Sequence, residues 1–85
     1  MEKGIEMIAE FDRDGKIRPI RFRISEEDEL IVVYVDKLLA VRNIKEKGER
    51  YHSKTIYKCR CKYRDMIKDF DLIFYVNSYM WYCKY

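Results

Sequence analysis

The sequence predicts a mainly-β domain, a small antiparallel barrel-like roll of SH3-like kind, with six or seven short strands and all 85 residues in one unit. Three observations carry that prediction. Apolar side chains recur at every second position in most segments, most cleanly around Thr55 to Tyr63, TIYKCRCKY, which is the period of a strand with one face buried. Turn-forming clusters interrupt these segments at intervals of about 8–14 residues, as in all-β barrels and sandwiches. A chain of 85 residues is also too short to cover both faces of a flat sheet, whereas closing the sheet on itself buries one face and removes exposed edges.

The first strand is read from Ile5, Met7, Ala9 and Phe11 on one parity and Glu6, Glu10 and Asp12 on the other, with Ile8 as the exception. Asp12-Arg13-Asp14-Gly15 follows, and glycine accepts the positive φ that a tight turn often needs, so a hairpin leads into a second strand. That strand runs from about Lys16 to Ile24, with Ile20, Phe22 and Ile24 on one face and Arg21 and Arg23 on the other. Pro19 has no N–H to give to a ladder, so it predicts either an edge or a bulge at that point.

Ser25 to Glu29 is a polar break, and Leu30 to Val35 is a dense apolar run rich in β-branched residues. Asp36-Lys37 then offers a bend that splits the region into two short strands, Leu30–Val35 and Leu38–Ile44. Residues 26–42 also admit a helix, with Ser25 and Asp28 as capping residues and Leu30, Val33, Tyr34, Leu38 and Val41 on one face. The run Ile31-Val32-Val33 favours strands, because branched side chains lose rotamer freedom against a helical turn. Lys45 to Arg50 reads as a solvated charged loop.

The longest alternation comes next. Tyr51, Ser53, Thr55, Tyr57, Cys59, Cys61 and Tyr63 hold one parity; His52, Lys54, Lys58, Arg60, Lys62 and Arg64 hold the other, with Ile56 as the one apolar intruder. Asp65 to Asp69 breaks the pattern, Phe70, Leu72, Phe74 and Val76 resume it, and Asn77-Ser78 marks a turn. Tyr79, Trp81, Cys83 and Tyr85 then share a final face.

Composition narrows the function classes. Apolar residues are 48% of the chain and eight are tyrosines, enough to build a core without metal or disulfide staples. Eighteen basic residues against 15 acidic ones leave only +3, too small an excess for a protein that coats DNA by bulk charge. No apolar run reaches the length of a secretion signal or a membrane span, and three cysteines is an odd number, so a cytoplasmic protein with reduced thiols is expected.

Chemistry at the cysteines is disfavoured by parity. Cys59 and Cys61 point the same way on a strand, and Cys83 joins them only if the last strand lies near, whereas His52 falls on the opposite face. No Cys-x2-4-Cys knuckle of a structural zinc site is present. Arg60, the cation beside the thiols in sequence, projects away from them and cannot lower their pKa. The three cysteines are therefore expected in the core, with no metal and no cofactor. A single histidine, three glycines and the absence of a nucleophile or phosphate-binding motif predict a non-enzymatic protein.

What remains is the outward face of the long strand. Lys54, Lys58, Arg60, Lys62 and Arg64 stand on one parity about 6.6–7 Å apart, and Arg21 and Arg23 extend the stripe if their strand lies alongside. Such a row suits the phosphates of a nucleic acid, with Tyr75 and Tyr82 as stacking partners for bases. A solvated face, its lysines paired across to Glu6, Glu10 or Asp71, is the alternative. The tyrosine load also suits a protein-interaction or self-association domain, with Tyr82 and Tyr85 as candidate homodimer contacts.

The order of Lys16-Ile17-Arg18-Pro19-Ile20, Val35-Asp36-Lys37-Leu38-Leu39-Ala40-Val41-Arg42, Arg50-Tyr51 leading into Tyr57-Lys58-Cys59-Arg60-Cys61, and Trp81-Tyr82 resembles a family of short uncharacterised bacterial proteins, chiefly from Firmicutes. Their marks are an early basic residue with proline, a Val-Asp-x-Val/Leu-Leu-x-Val-Arg centre and an aromatic ending. The chain departs from them in carrying Lys45 to Arg50 where they have a glycine-rich loop, and in extra residues around Asp65 to Asp69. The resemblance implies a bacterial, cytosolic, all-β domain and assigns no activity to any residue.

Overall fold

A computed structural model describes residues 2–46 and 52–85, the side chains at positions 46 and 52 excepted. Six strands follow one another: β1 (Lys3–Phe11), β2 (Ile17–Glu26), β3 (Glu29–Glu46), β4 (His52–Tyr63), β5 (Met66–Tyr75) and β6 (Met80–Lys84). Each pairs antiparallel with its neighbour in sequence, and β6 returns to β1, closing a small barrel. The roll expected from the sequence is what forms, and residues 29–44 are strand rather than helix. No helix among the described residues is long and apolar enough to cross a membrane.

The turns explain why the meander reverses where it does. Asp12 Oδ1 accepts from the backbone N–H of Asp14 and of Lys16, both at 2.9 Å, and Gly15 sits at φ 80°, where a side chain is disfavoured. Glu27-Asp28 and Arg64-Asp65 are two-residue hairpin turns with both residues left-handed, at φ 47° and 64° and at 46° and 61°, the backbone that matches the twist of the flanking strands.

Three sequence expectations are corrected. The bend at Asp36-Lys37 does not divide two strands: β3 is one strand of 18 residues, and its register against β4 slips between Val35 and Lys37 and again between Leu38 and Ala40. β4 supplies a continuous partner, so Asp36 and Leu39 are absorbed as extra residues of two bulges. Pro19 does mark a bulge, since Ile8 pairs with Arg21 and Ala9 with Pro19. The skipped Ile20 shifts the parity, however, leaving Pro19 buried and Ile20 only half-buried. Finally, the break expected over Asp65 to Asp69 is confined to the Arg64-Asp65 turn, for β5 begins at Met66. Lys68 obscured this by occupying an inward position, where its Nζ lies 5.8 Å from the Tyr63 ring and 5.0 Å from the Tyr85 ring. The charged loop read at Lys45 to Arg50 lies largely outside the described residues, Lys45 alone being described in full, as part of β3; Tyr51 and the side chain of His52 also lie outside.

The inward parity of β4 is the spine of the core. Tyr57, Cys59, Cys61 and Tyr63 are buried against Phe22, Ile24, Val33, Phe70, Leu72, Phe74 and Cys83. Phe70 is the aromatic hub, its ring 5.4 Å from Phe22 in an edge contact and 4.7 Å from Tyr85 in a stack. One end of the barrel is tied shut there: the Tyr63 and Tyr85 hydroxyls donate to Glu26 Oε1 at 2.5 and 2.7 Å. Those two bonds, Tyr63 first, hold the Glu26 carboxyl below its ordinary pKa against a smaller opposing effect of desolvation.

The opposite end is splayed. Pairing between β2 and β3 stops at Arg21–Tyr34, although β3 continues to Glu46, and β1 meets β6 only over Lys3 to Ile5.

Candidate nucleic-acid interface

Six of the seven cations read from the sequence lie on outward strand positions, as the parity requires, and Arg64 falls in the turn after β4, yet the barrel does not gather them into one stripe. β3 separates β2 from β4, so Arg21 and Arg23 do not lie alongside Lys58 to Arg64. Register links them in another way. Ile8 stands opposite Arg21, Arg21 opposite Tyr34, Tyr34 opposite Lys62 and Lys62 opposite Ile67. This forms a single line across five strands of the outer surface. At about 4.8 Å between neighbouring strands, Arg21 and Lys62 flank Tyr34 at Cα positions about 10 Å apart.

Intramolecular partners thin the rest of the row. Arg23 is paired with Glu6, Arg60 Nε lies 3.5 Å from Asp69 Oδ1, and Arg64 reaches Glu29 at 3.4 Å and Glu26 at 3.9 Å. Lys54 Nζ sits 5.8 Å from the centre of the Tyr75 ring. Lys58 stands opposite Asp71, which on its other side faces Lys84. Of the acids expected to answer the lysines, Glu6 and Glu10 are engaged instead by arginines, Arg23 and Arg18. Among the described residues Arg21, Lys54, Lys58 and Lys62 form no ion pair. Two of those four, Arg21 and Lys62, border Tyr34.

Tyr34 itself is the residue the sequence reading left out of the site. Its side chain is 52% exposed, and Ile8, Leu30, Val32, Met66 and Ile67 around it are also exposed. A shallow cleft flanks it on each side, one of about 430 Å³ toward Arg21 and Ile8 and one of about 530 Å³ toward Lys62 and Ile67. The signal was its parity: Tyr34 alternates with the inward Val33 and Val35, so it had to face out between two cationic strands. Tyr75 and Tyr82, expected as stacking partners, lie at the Lys54 end of β4, away from Tyr34. Their rings meet edge-on at 5.4 Å over buried Ile73, and the Tyr75 hydroxyl donates to Glu2 at 2.8 Å. The other dimer candidate, Tyr85, is committed to Phe70 and Glu26 of its own chain.

The thiols face the opposite way from these cations. Cys59, Cys61 and Cys83 are free and fully buried, and desolvation pushes their pKa values up to about 12, 12 and 11. They therefore stay protonated, poor nucleophiles and poor metal ligands. Among the described residues no group of three or more His, Cys, Asp or Glu is placed to hold a metal ion.

Comparison with protein-family models, with curated proteins and with solved structures gives no match to this chain.

Proposed function

We propose that the chain is a non-enzymatic binding module for single-stranded nucleic acid, centred on Arg21, Tyr34 and Lys62. The observation that supports it is the cross-strand line in which two cations without an ion pair among the described residues flank a half-exposed aromatic ring. A base stacks on Tyr34, the adjacent phosphates lie against Arg21 and Lys62, and Ile8 and Ile67 extend the apolar floor. A duplex hides the faces of its bases and cannot use the tyrosine in this way, which selects the single strand. Reduced thiols suit a cytosolic setting for such a module.

Anisotropy of a labelled oligothymidine at low salt tests the proposal. Base stacking is worth about 1–3 kcal/mol per base, so Tyr34→Ala should weaken binding about 5- to 150-fold, since 1.4 kcal/mol is tenfold. Two phosphate contacts on a single strand give a salt slope of about −1.4, and Arg21→Glu with Lys62→Glu should abolish it. Binding that survives both changes removes the proposal. The exposed apolar ring of Ile8, Leu30, Val32, Met66 and Ile67 favours one alternative, self-association through the same face, which sedimentation at high concentration detects.

A further inference from the structure

We infer a second binding site, independent of the first, at the splayed end of the barrel: the free edge of β3 takes up an acidic, extended peptide as an added strand. Among the described residues no strand pairs with this side of β3 after Tyr34. A row of backbone N–H and C=O groups from Val35 onward is therefore available, which is the template used in strand addition.

The ground beside that edge is built to receive side chains. Leu38 and Val41 stand opposite Cys59 and Tyr57 in register, on the inward parity of the barrel, yet they are 40% and 50% exposed. Among the described residues β2 has no partner on that side below Arg21. The result is a cleft of about 710 Å³ between Ile17 on one wall and Leu38 and Val41 on the other, with Tyr57 in its floor. An added strand places alternate side chains into this cleft and the others toward solvent.

Charge identifies the occupant. From Val35 to Lys45 the free edge carries Lys37, Arg42 and Lys45 against the single carboxylate of Asp36, and none of the three cations is in an ion pair among the described residues. On the facing hairpin Asp12 Oδ1 accepts from two turn amides, and Lys16 lines the mouth of the cleft beside it. A second copy paired β3 to β3 about Val41 sets Lys37 against Lys45 twice, and like charges directly opposite are destabilising. A strand alternating apolar residues with Asp or Glu satisfies the backbone, the cleft and the cations together.

The probe is a capped synthetic heptapeptide, Glu-Val-Glu-Val-Glu-Val-Glu, with a lysine-for-glutamate version and a proline-interrupted version as controls. The acidic peptide should slow amide hydrogen exchange across Leu38 to Ile44 in the unaltered protein. It should also change the fluorescence of Trp81, whose ring lies 5.6 Å from that of Tyr57. Val41→Asp combined with Arg42→Glu, both exposed positions, should weaken binding at least about tenfold while the circular dichroism spectrum is kept. Tyr34→Ala should leave peptide binding unchanged. Equal binding of the lysine peptide overturns the inference, as does the absence of protection at millimolar peptide. Concentration-dependent protection of Leu38 to Ile44 without peptide, in a protein that sediments as a dimer, also overturns it, by assigning the edge to a second copy.

Discussion

Phe70→Ala should destabilise the protein by about 3–5 kcal/mol, the usual range for deleting a buried aromatic ring. A chain of 85 residues has a total stability of about 4–13 kcal/mol at typical per-residue values, so this one change brings the barrel near its unfolding threshold. The size follows from position. Phe70 is 1% exposed and its ring meets those of Phe22, Tyr63 and Tyr85. It therefore joins β2, β4 and the C-terminal residue, which cannot close on the void because each is held in the sheet or by Glu26. Urea unfolding followed by tryptophan fluorescence measures the loss. Phe11→Ala, at a ring that is 69% exposed, should change stability by no more than about 0.5 kcal/mol. A Phe70→Ala cost under about 1 kcal/mol contradicts the packing described.

Alkaline pH should unfold the protein through its thiols. In the unfolded chain a cysteine ionises at about 8.5, whereas Cys59, Cys61 and Cys83 hold their protons to about 12, 12 and 11 when folded. Folded-state values above the unfolded one mean that this stability is complete below about pH 8 and is lost as the pH rises toward 11–12. Within the window the unfolded state has released up to three more protons than the native one, so stability falls by as much as about 4 kcal/mol per pH unit. Unfolding free energies at about pH 8 and pH 10 should differ by several kcal/mol. Tyrosine ionises at about 10 in the unfolded chain, and burial raises Tyr57 and Tyr85 in the folded one, so part of the loss near pH 10 is theirs and the cysteine variant assigns the rest. Replacing all three cysteines with alanine should flatten the dependence. A wild-type stability constant from pH 8 to pH 10, or native thiols that react freely with a disulfide reagent, contradicts their burial.

Much of this was legible in the sequence because a period of two is a direct statement about faces. Tyr57, Cys59, Cys61 and Tyr63 went inward and Lys58, Arg60 and Lys62 outward as their alternation required, and Pro19 marked its bulge through the missing N–H. Bulges were the main source of error. Asp36 and Leu39 each add one residue to β3 without ending it, and a polar residue inside an apolar run looks the same whether it bends a strand or bulges it. Lys68 misled for a different reason: its ammonium on the inward side is stabilised by two tyrosine rings brought from β4 and the C-terminus, contacts that no local pattern reveals. The candidate site was read in its parts but not in its arrangement. Which cations stand beside Tyr34 depends on strand order and register, and so does which of them are answered by Glu6, Asp69 or Glu29.

Amide and side-chain NMR shifts on adding a short oligothymidine test the central proposal most directly. Saturable shifts should centre on Tyr34, Arg21 and Lys62, with weaker ones at Ile8 and Ile67 and little change at Lys54 or Tyr75. No saturable shift at low salt, or shifts confined to the Lys54 end of β4, would contradict it.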